Sequence, residues 1–486
     1  MSAGRSAFQR GGDRDDLGLV SEGRAYTYRE LGALGGSFIA ALMAAGVRRG
    51  DRVAVRGSNR AETVVALLAM AQAGVTAVLV HPRLTAVEAG ALLDDAEVAL
   101  TLDDAAVDAL LREGLGRPWP ALPPNATGDP LAMIYTSGTS GRPKAAVLTH
   151  GSFFHSAQAH FANLPTRPTD RWVAALPLAH VGGLSVLTRG LLAGRPVALL
   201  PRFDADAVLD AVRVGGALVS VVPTMLRALL EADRGNALAR ARALLVGGAA
   251  CAPELLAESA ARGVRALATY GMTEMCSQVA TQAPDAPSPR GVGRPLRGVE
   301  LRVVDGDGGT AATGAVGRVA VRGPMRMRGY WRQAPLADDA WFDTGDLGSL
   351  DAGGALSIHA RRTDLIVTGG ENVYPVEVEQ CLEAHPSVAA ALVFGLPDEV
   401  WGQRVAAAVV PRGAVPDEAA WRAALRDHVA ARLADFKRPR LLARAEAIAT
   451  LPGGKPDRAG APGRYGAAAR PWADGVSSRP PHGSTP

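Results

Sequence analysis

Short β-branched runs alternate with Ala- and Leu-rich helical segments through most of this chain, and that rhythm restricts the fold more than any other feature. Arg52 to Arg56 reads as a strand, Ala61 to Ala73 as a helix, Thr76 to Val80 as a strand, Val87 to Asp95 as a helix and Val98 to Leu102 as a strand. The pattern returns with strands at Arg171 to Leu176, Val197 to Leu200, Ala217 to Val222 and Ala243 to Val246. Such alternation predicts an α/β fold of parallel-type sheets covered by helices.

At 486 residues the chain exceeds what one core can serve, so two or more domains are expected. After Gly291 the texture becomes β-rich, with strands at Glu300 to Val304 and Gly317 to Arg322 separated by Gly/Asp turns. It changes again near Arg361 to Asp364. Beyond lie a helix (Pro375 to His385), two strands (Val388 to Phe394 and Arg404 to Val410) and a helix (Asp417 to Leu433), the pattern of a small α+β domain. The expected division is a large N-terminal domain over 1–362, a C-terminal domain over 363–466 and a disordered Pro/Ser/Gly-rich tail over 467–486.

The charge balance excludes some classes. Fifty-two basic and 48 acidic side chains give a net +4, with no basic run interleaved with aromatics, so no nucleic-acid partner is expected. Cys251, Cys276 and Cys381 are three and form no CxxC pair, which argues for reduced thiols rather than disulfides or zinc. Met1 to Asp16 has no apolar core of a secretory signal. The uncharged stretch Val64 to Val80 is short for a membrane span, contains Gly74 and ends in a β-like run, so it reads as a buried helix followed by a buried strand. A cytoplasmic protein with no membrane span is expected. A homo-oligomer is left open.

The chemistry begins at Tyr135-Thr136-Ser137-Gly138-Thr139-Ser140-Gly141-Arg142-Pro143-Lys144. Four hydroxyls and two glycines fill Thr136 to Gly141, following the apolar strand Leu131 to Ile134. Glycines permit close backbone approach, hydroxyls and N–H groups can cradle phosphate oxygens, and Lys144 adds positive charge. The spacing is not that of the GxxxxGK[ST] phosphate loop, because Lys144 is followed by Ala145. The string closely resembles the phosphate-binding signature of the acyl-adenylate-forming (AMP-binding) superfamily of acyl-CoA synthetases, peptide-synthetase adenylation domains and luciferases. Further matching motifs run from Tyr26 to Arg458.

The resemblance implies two domains, the smaller one mobile, with ATP, Mg²⁺ and coenzyme A as small-molecule partners alongside a carboxylate. Residues Gly247, Gly248 and Ala249 would pass under the adenine. Tyr270-Gly271-Met272-Thr273-Glu274 places a carboxylate beside a hydroxyl after a glycine turn, which suits Mg²⁺ and phosphate chemically. The family match implies that Glu274 holds the metal and Thr273 contacts the α-phosphate. Asp346 matches the ribose-binding acid, a carboxylate accepting two O–H bonds from a diol, and Arg361 the ribose and phosphate arginine. Thr363 falls at the hinge. Gly369 and Gly370 match the segment lining the thiol channel, with Glu377 and Glu379 after them read as solvated or paired helix charges. Lys455 matches the catalytic lysine on a mobile loop, which would serve adenylation and withdraw to admit the thiol. Two departures are Ala360 for the usual Gly and Ile448-Ala449 for the usual Leu-Pro.

His180 stands where the family has the gate between acyl pocket and thiol channel. Gly183 and Leu184 after it, Ser277 and Gln278 after the Glu274 motif, and Arg361 to Ile366 resemble the branch that thioesterifies 2-succinylbenzoate in menaquinone biosynthesis. In that reading Ser277 and Gln278 hydrogen-bond the second carboxylate or keto group. No Asp lies between Trp172 and Arg202, which disfavours amino-acid activation. A ligase for another fatty or aromatic acid and a non-catalytic nucleotide-binding relative remain as alternatives.

Overall fold

The computed structural model describes residues 15–119, 121–137, 143–249, 251–288, 290–360, 365–450 and 456–472. Contacts divide the chain into two compact units. One gathers residues up to 82, 93–135 and 145–359; the other gathers 83–92, 136–144 and the chain from 360 onward.

The first unit holds the α/β rhythm. Strands Arg52–Val55, Thr76–Leu79, Leu100–Leu102 and Pro130–Ser137 lie parallel in a six-stranded sheet, closed at one edge by Pro143–Thr149 and the antiparallel Gly329–Tyr330. A nine-stranded sheet runs parallel through Val197–Leu199, Arg171–Ala174, Ala217–Val221, Ala243–Val246 and Ala266–Met272, then turns antiparallel at Ser277–Thr281 and Arg294–Pro295. In a third sheet Glu300–Val304, Gly317–Arg322 and Phe342–Leu350 pair antiparallel, with Leu356–Ala360 next to Phe342–Leu350.

The apolar stretch Val64 to Val80 is what its composition suggested. Helix Ala61–Ala73 is buried on nearly every side and stops at Gly74, whose φ of 70° is the left-handed C-terminal cap that glycine adopts without strain. Strand Thr76–Leu79 follows, every residue buried. Among the described residues no helix is long and apolar enough to cross a membrane. Sheets buried on both faces need continuous apolar strands rather than alternating ones, and Ala243–Val246 and Ala217–Val221 are buried throughout.

The second unit is built on the long hairpin Val388–Asp398 and Gly402–Pro411, paired from Val388↔Pro411 to Asp398↔Gly402. Ile366–Thr368 and Glu371–Val373 join at one edge, Leu441–Arg444 and Arg470–Pro471 at the other. Helices Pro375–Glu383 and Glu418–Ala430 belong to this unit, the second capped by the Asp417 side chain.

One sequence expectation needs correcting here. The tail was expected to lose order at Ala467, but the chain stays ordered to Trp472. Leu442 pairs with Arg470, the Trp472 N–H donates to the Arg440 carbonyl at 3.1 Å, and Trp472 is buried. A terminal strand needs only one apolar anchor, and a lone Trp among Pro and Ser carries no periodicity to announce it. Replacing Trp472 by Ala should destabilise the second unit by about 3 kcal/mol, the scale of a buried Trp truncation. A urea titration that leaves the midpoint unmoved would show that the strand is not held this way. Residues 473–486 lie outside the described residues.

Candidate active site

In the first unit, strand Ala266–Met272 ends in a single turn of 3₁₀ helix, Thr273–Met275, which presents Thr273 and Glu274 half-buried. The Tyr330 hydroxyl donates to Glu274 Oε1 at 2.7 Å, and the Glu274 carbonyl accepts from Met327 N–H at 2.8 Å. Tyr270, two residues before the end of that strand, donates its hydroxyl to Asp346 Oδ2 at 2.6 Å. Asp346 sits in strand Phe342–Leu350 and is buried. The structure thus joins Tyr270 to Asp346 and Glu274 to Tyr330 around one strand end. Gly271 passes close behind: a Cβ there would lie 2.0 Å from the Ser277 carbonyl oxygen.

Gly247 and Gly248 follow strand Ala243–Val246. A Cβ on Gly247 would meet Thr269 Cγ2 at 2.7 Å, and Gly248 has φ 81°. The pair therefore has a packing reason as well as any ligand reason; Ala249 after it is half-buried.

His180 caps helix Val181–Ala193 with extended backbone. The loop before it is pinned by Asn59, whose Nδ2 donates to the Leu176 carbonyl at 2.9 Å and whose Oδ1 accepts from Leu178 N–H at 2.9 Å. His81 lies beside His180, ring centroids 5.1 Å apart. Gly183 lets the first turn approach this loop, since a Cβ would fall 2.2 Å from the Pro177 carbonyl oxygen. Leu184, expected beside the substrate, is buried at 2% exposure and packs in the core cluster.

Gln278 is engaged within the fold. Its Oε1 meets His160 Nδ1 at 3.0 Å, and its Nε2 donates to Thr281 Oγ1 at 2.7 Å and Thr269 Oγ1 at 3.2 Å. Burial, with Arg189 second, pushes His160 well below the usual imidazole range, so it is neutral and its Nδ1–H donates to Gln278. Ser277 and Cys276 have φ 94° and 51°, two successive left-handed non-glycine residues, the sort of strain that collects at working sites.

Sequence reasoning missed Arg189. It is the only charged side chain in helix Val181–Ala193, which could have flagged it. At 2% exposure it has no ion pair among the described residues. Its Nη2 donates to Ser277 Oγ at 3.2 Å, its Nε has no hydrogen-bond partner, and its guanidinium carbon lies 6.0 Å from the Trp172 ring centroid. Burial lowers its pKa to about 10, so it stays charged at neutral pH. A buried, uncompensated guanidinium is costly by several kcal/mol unless a ligand completes it.

Thr136 and Lys144 lie on either side of residues 138–142, and Thr136 Oγ1 donates to the Lys144 carbonyl at 3.3 Å. The backbone of Ser137 ends strand Pro130–Ser137. Gly138, Thr139, Ser140, Gly141, Arg361, Thr363 and Lys455 lie outside the described residues. In the second unit Gly369 and Gly370 form the turn between Ile366–Thr368 and Glu371–Val373, with Gly369 N–H donating to the Trp401 carbonyl at 2.8 Å.

Residues 6–331 match the AMP-binding enzyme family and residues 377–455 the AMP-binding enzyme C-terminal domain. A 2-succinylbenzoate–CoA ligase of Geobacillus kaustophilus is 38% identical over 443 residues, covering 86% of this chain and 89% of that protein. The o-succinylbenzoate CoA synthetase of Bacillus subtilis, as a double mutant bound to its product analogue OSB-NCoA, superposes with a TM-score of 0.87 at 32% identity, covering 94% of this chain and 98% of that one. The same enzyme in complex with ATP and magnesium ion gives 0.68 at 33% identity, over 92% and 96%. With matched models over most of its length and these relatives, the chain belongs to the AMP-binding enzyme family.

Proposed function

We propose that this chain activates 2-succinylbenzoate with ATP as an acyl-adenylate and transfers the acyl group to coenzyme A, the AMP-forming acid–thiol ligation of menaquinone biosynthesis. The observation that carries the choice of acid is Arg189: a buried guanidinium beside Ser277 has no ion pair among the described residues, and a dicarboxylic substrate supplies an anion. Charge-assisted pairing of this kind is strong and planar, so it favours an acid with a second carboxylate.

One carboxylate oxygen bonds to the α-phosphorus while the bond to pyrophosphate breaks. The thiol sulfur then bonds to the acyl carbon as AMP leaves and the thiol proton passes to solvent. Both steps rest on positioning and on charge neutralisation. The hydroxyls and glycines of Thr136 to Gly141, with Lys144, take the phosphates. Gly247 to Ala249 face the adenine beside Tyr270 and Gly271, Asp346 and Arg361 take the ribose, and Thr273 takes the α-phosphate. The Glu274 carboxylate and its neighbouring hydroxyls are hard oxygen donors that fit Mg²⁺, which when bound neutralises phosphate charge. His180 gates the acyl pocket, Gly369 and Gly370 line the thiol path, and Lys455 stabilises charge during adenylation. Thr363 is the hinge between domains spanning 1–362 and 363–466. The setting is the cytoplasm, where three unpaired thiols persist.

Pyrophosphate release with ATP, Mg²⁺ and coenzyme A across 2-succinylbenzoate, benzoates and fatty acids tests the reading. Strong preference for 2-succinylbenzoate is expected; preference for a monocarboxylic acid would overturn the substrate while keeping the ligase. Tyr270→Phe should raise the KM for ATP about tenfold with kcat little changed, the scale of one hydrogen bond to a charged group. An unchanged KM would remove the Tyr270–Asp346 pair from nucleotide binding.

A further inference from the structure

In the second unit, three groups distant in sequence close a triangle. Glu379, on helix Pro375–Glu383, accepts from Arg458 Nη2 at 2.7 Å through Oε1 and at 2.8 Å through Oε2. Its Oε1 also accepts from Val393 N–H at 2.7 Å, and Arg458 Nε donates to the Val393 carbonyl at 3.1 Å. Glu379 is buried, so the pair is shielded from water. Arg458 lies three residues beyond Lys455. On the other side of residues 451–455, Thr450 bridges Pro456, Asp457 N–H donates to the Ala449 carbonyl at 2.8 Å, and Ala449 N–H donates to the Tyr465 hydroxyl at 2.9 Å. The residues on either side of 451–455 are therefore braced.

We infer that Glu379 is a positioning residue for adenylation: through Arg458 it fixes the chain that follows Lys455. This rests on the role proposed above for Lys455. Read from the sequence, Glu379 was a helix charge, solvated or paired; its pairing across 79 residues gives it a direction. A displacement on the order of 1 Å at a catalytic group costs about 10²-fold in rate.

The second unit also carries Gly369 and Gly370, proposed for the thiol path, so a general loosening of the unit would slow both half-reactions. A positioning role slows only one. Glu379→Gln keeps size and the Val393 hydrogen bond but removes the charge facing Arg458. It should slow pyrophosphate release with ATP by about tenfold or more, while thioester formation from supplied 2-succinylbenzoyl-adenylate and coenzyme A stays within about twofold. Arg458→Lys, which keeps charge but loses the planar guanidinium that bonds Glu379 and the Val393 carbonyl together, should show the same split more weakly. Circular dichroism and thermal melts of both variants establish that they fold. The wild-type chain is run first against the acid panel, so a wrong acid shows there, and the variants are compared on whichever acid is turned over. Equal slowing of both half-reactions, or none, in the folded variants would overturn the inference.

Discussion

Replacing Lys455 by Ala is expected to cut pyrophosphate release by at least about 10²-fold, the scale of losing one preorganised transition-state donor. Thioester formation from supplied acyl-adenylate should survive. The reason lies in where charge develops. As the carboxylate attacks the α-phosphorus, negative charge grows on the phosphate oxygens and the departing pyrophosphate, and an ammonium stabilises it. In the second half-reaction AMP departs with its charge already formed, and the task is to admit a thiol. A lysine on a segment separate from the first unit's glycine turns and acids can serve one step and be absent from the other. Measuring the half-reactions separately checks this. Equal loss in both would remove the two-state role of Lys455, and Glu379 would then need another account.

The second large effect is expected at Arg189. Replacing it by Met keeps an unbranched apolar stem but removes the guanidinium. The KM for 2-succinylbenzoate should rise on the order of 10²-fold, matching the 2–5 kcal/mol typical of truncating one partner of a buried charge pair. Arg189→Lys should fall between, because an ammonium supplies charge without the planar fork. Benzoates lacking the second carboxylate should be used no worse by the variant than by the wild type. Stability is expected to move the other way. Arg189 is buried with no ion pair among the described residues, and burial depresses its pKa. Removing an uncompensated buried charge should leave the thermal midpoint unlowered or raised. A lowered midpoint together with an unchanged KM would mean that Arg189 is a structural cation and that the acid is recognised elsewhere.

Much of this protein was legible from its residues in order. Local periodicity marked the helix Ala61–Ala73 and the strand Thr76–Leu79, since a segment buried on all sides must be apolar throughout. Dense motifs such as Tyr270 to Glu274 were legible because their chemistry is packed into consecutive residues. Gly271 and Thr273 have little freedom once a strand must turn and present a carboxylate.

Tertiary structure alone decided the rest, wherever a side chain's role depends on partners far along the chain. Gln278 shows an amide whose partners in the fold, His160, Thr269 and Thr281, lie 118, 9 and 3 residues away. Leu184 is buried in a core that its helix and distant segments build together. Arg189 gave only the hint of one charge in an apolar helix; its meaning came from what the fold does not place beside it. Glu379 and Arg458 meet because a helix, a strand and the chain after Lys455 converge at one point. The physical reason is common to all four. A sequence displays which groups a chain owns, but burial and pairing are set by contacts between distant segments, and these decide whether a polar group is spent on the fold or left for the substrate.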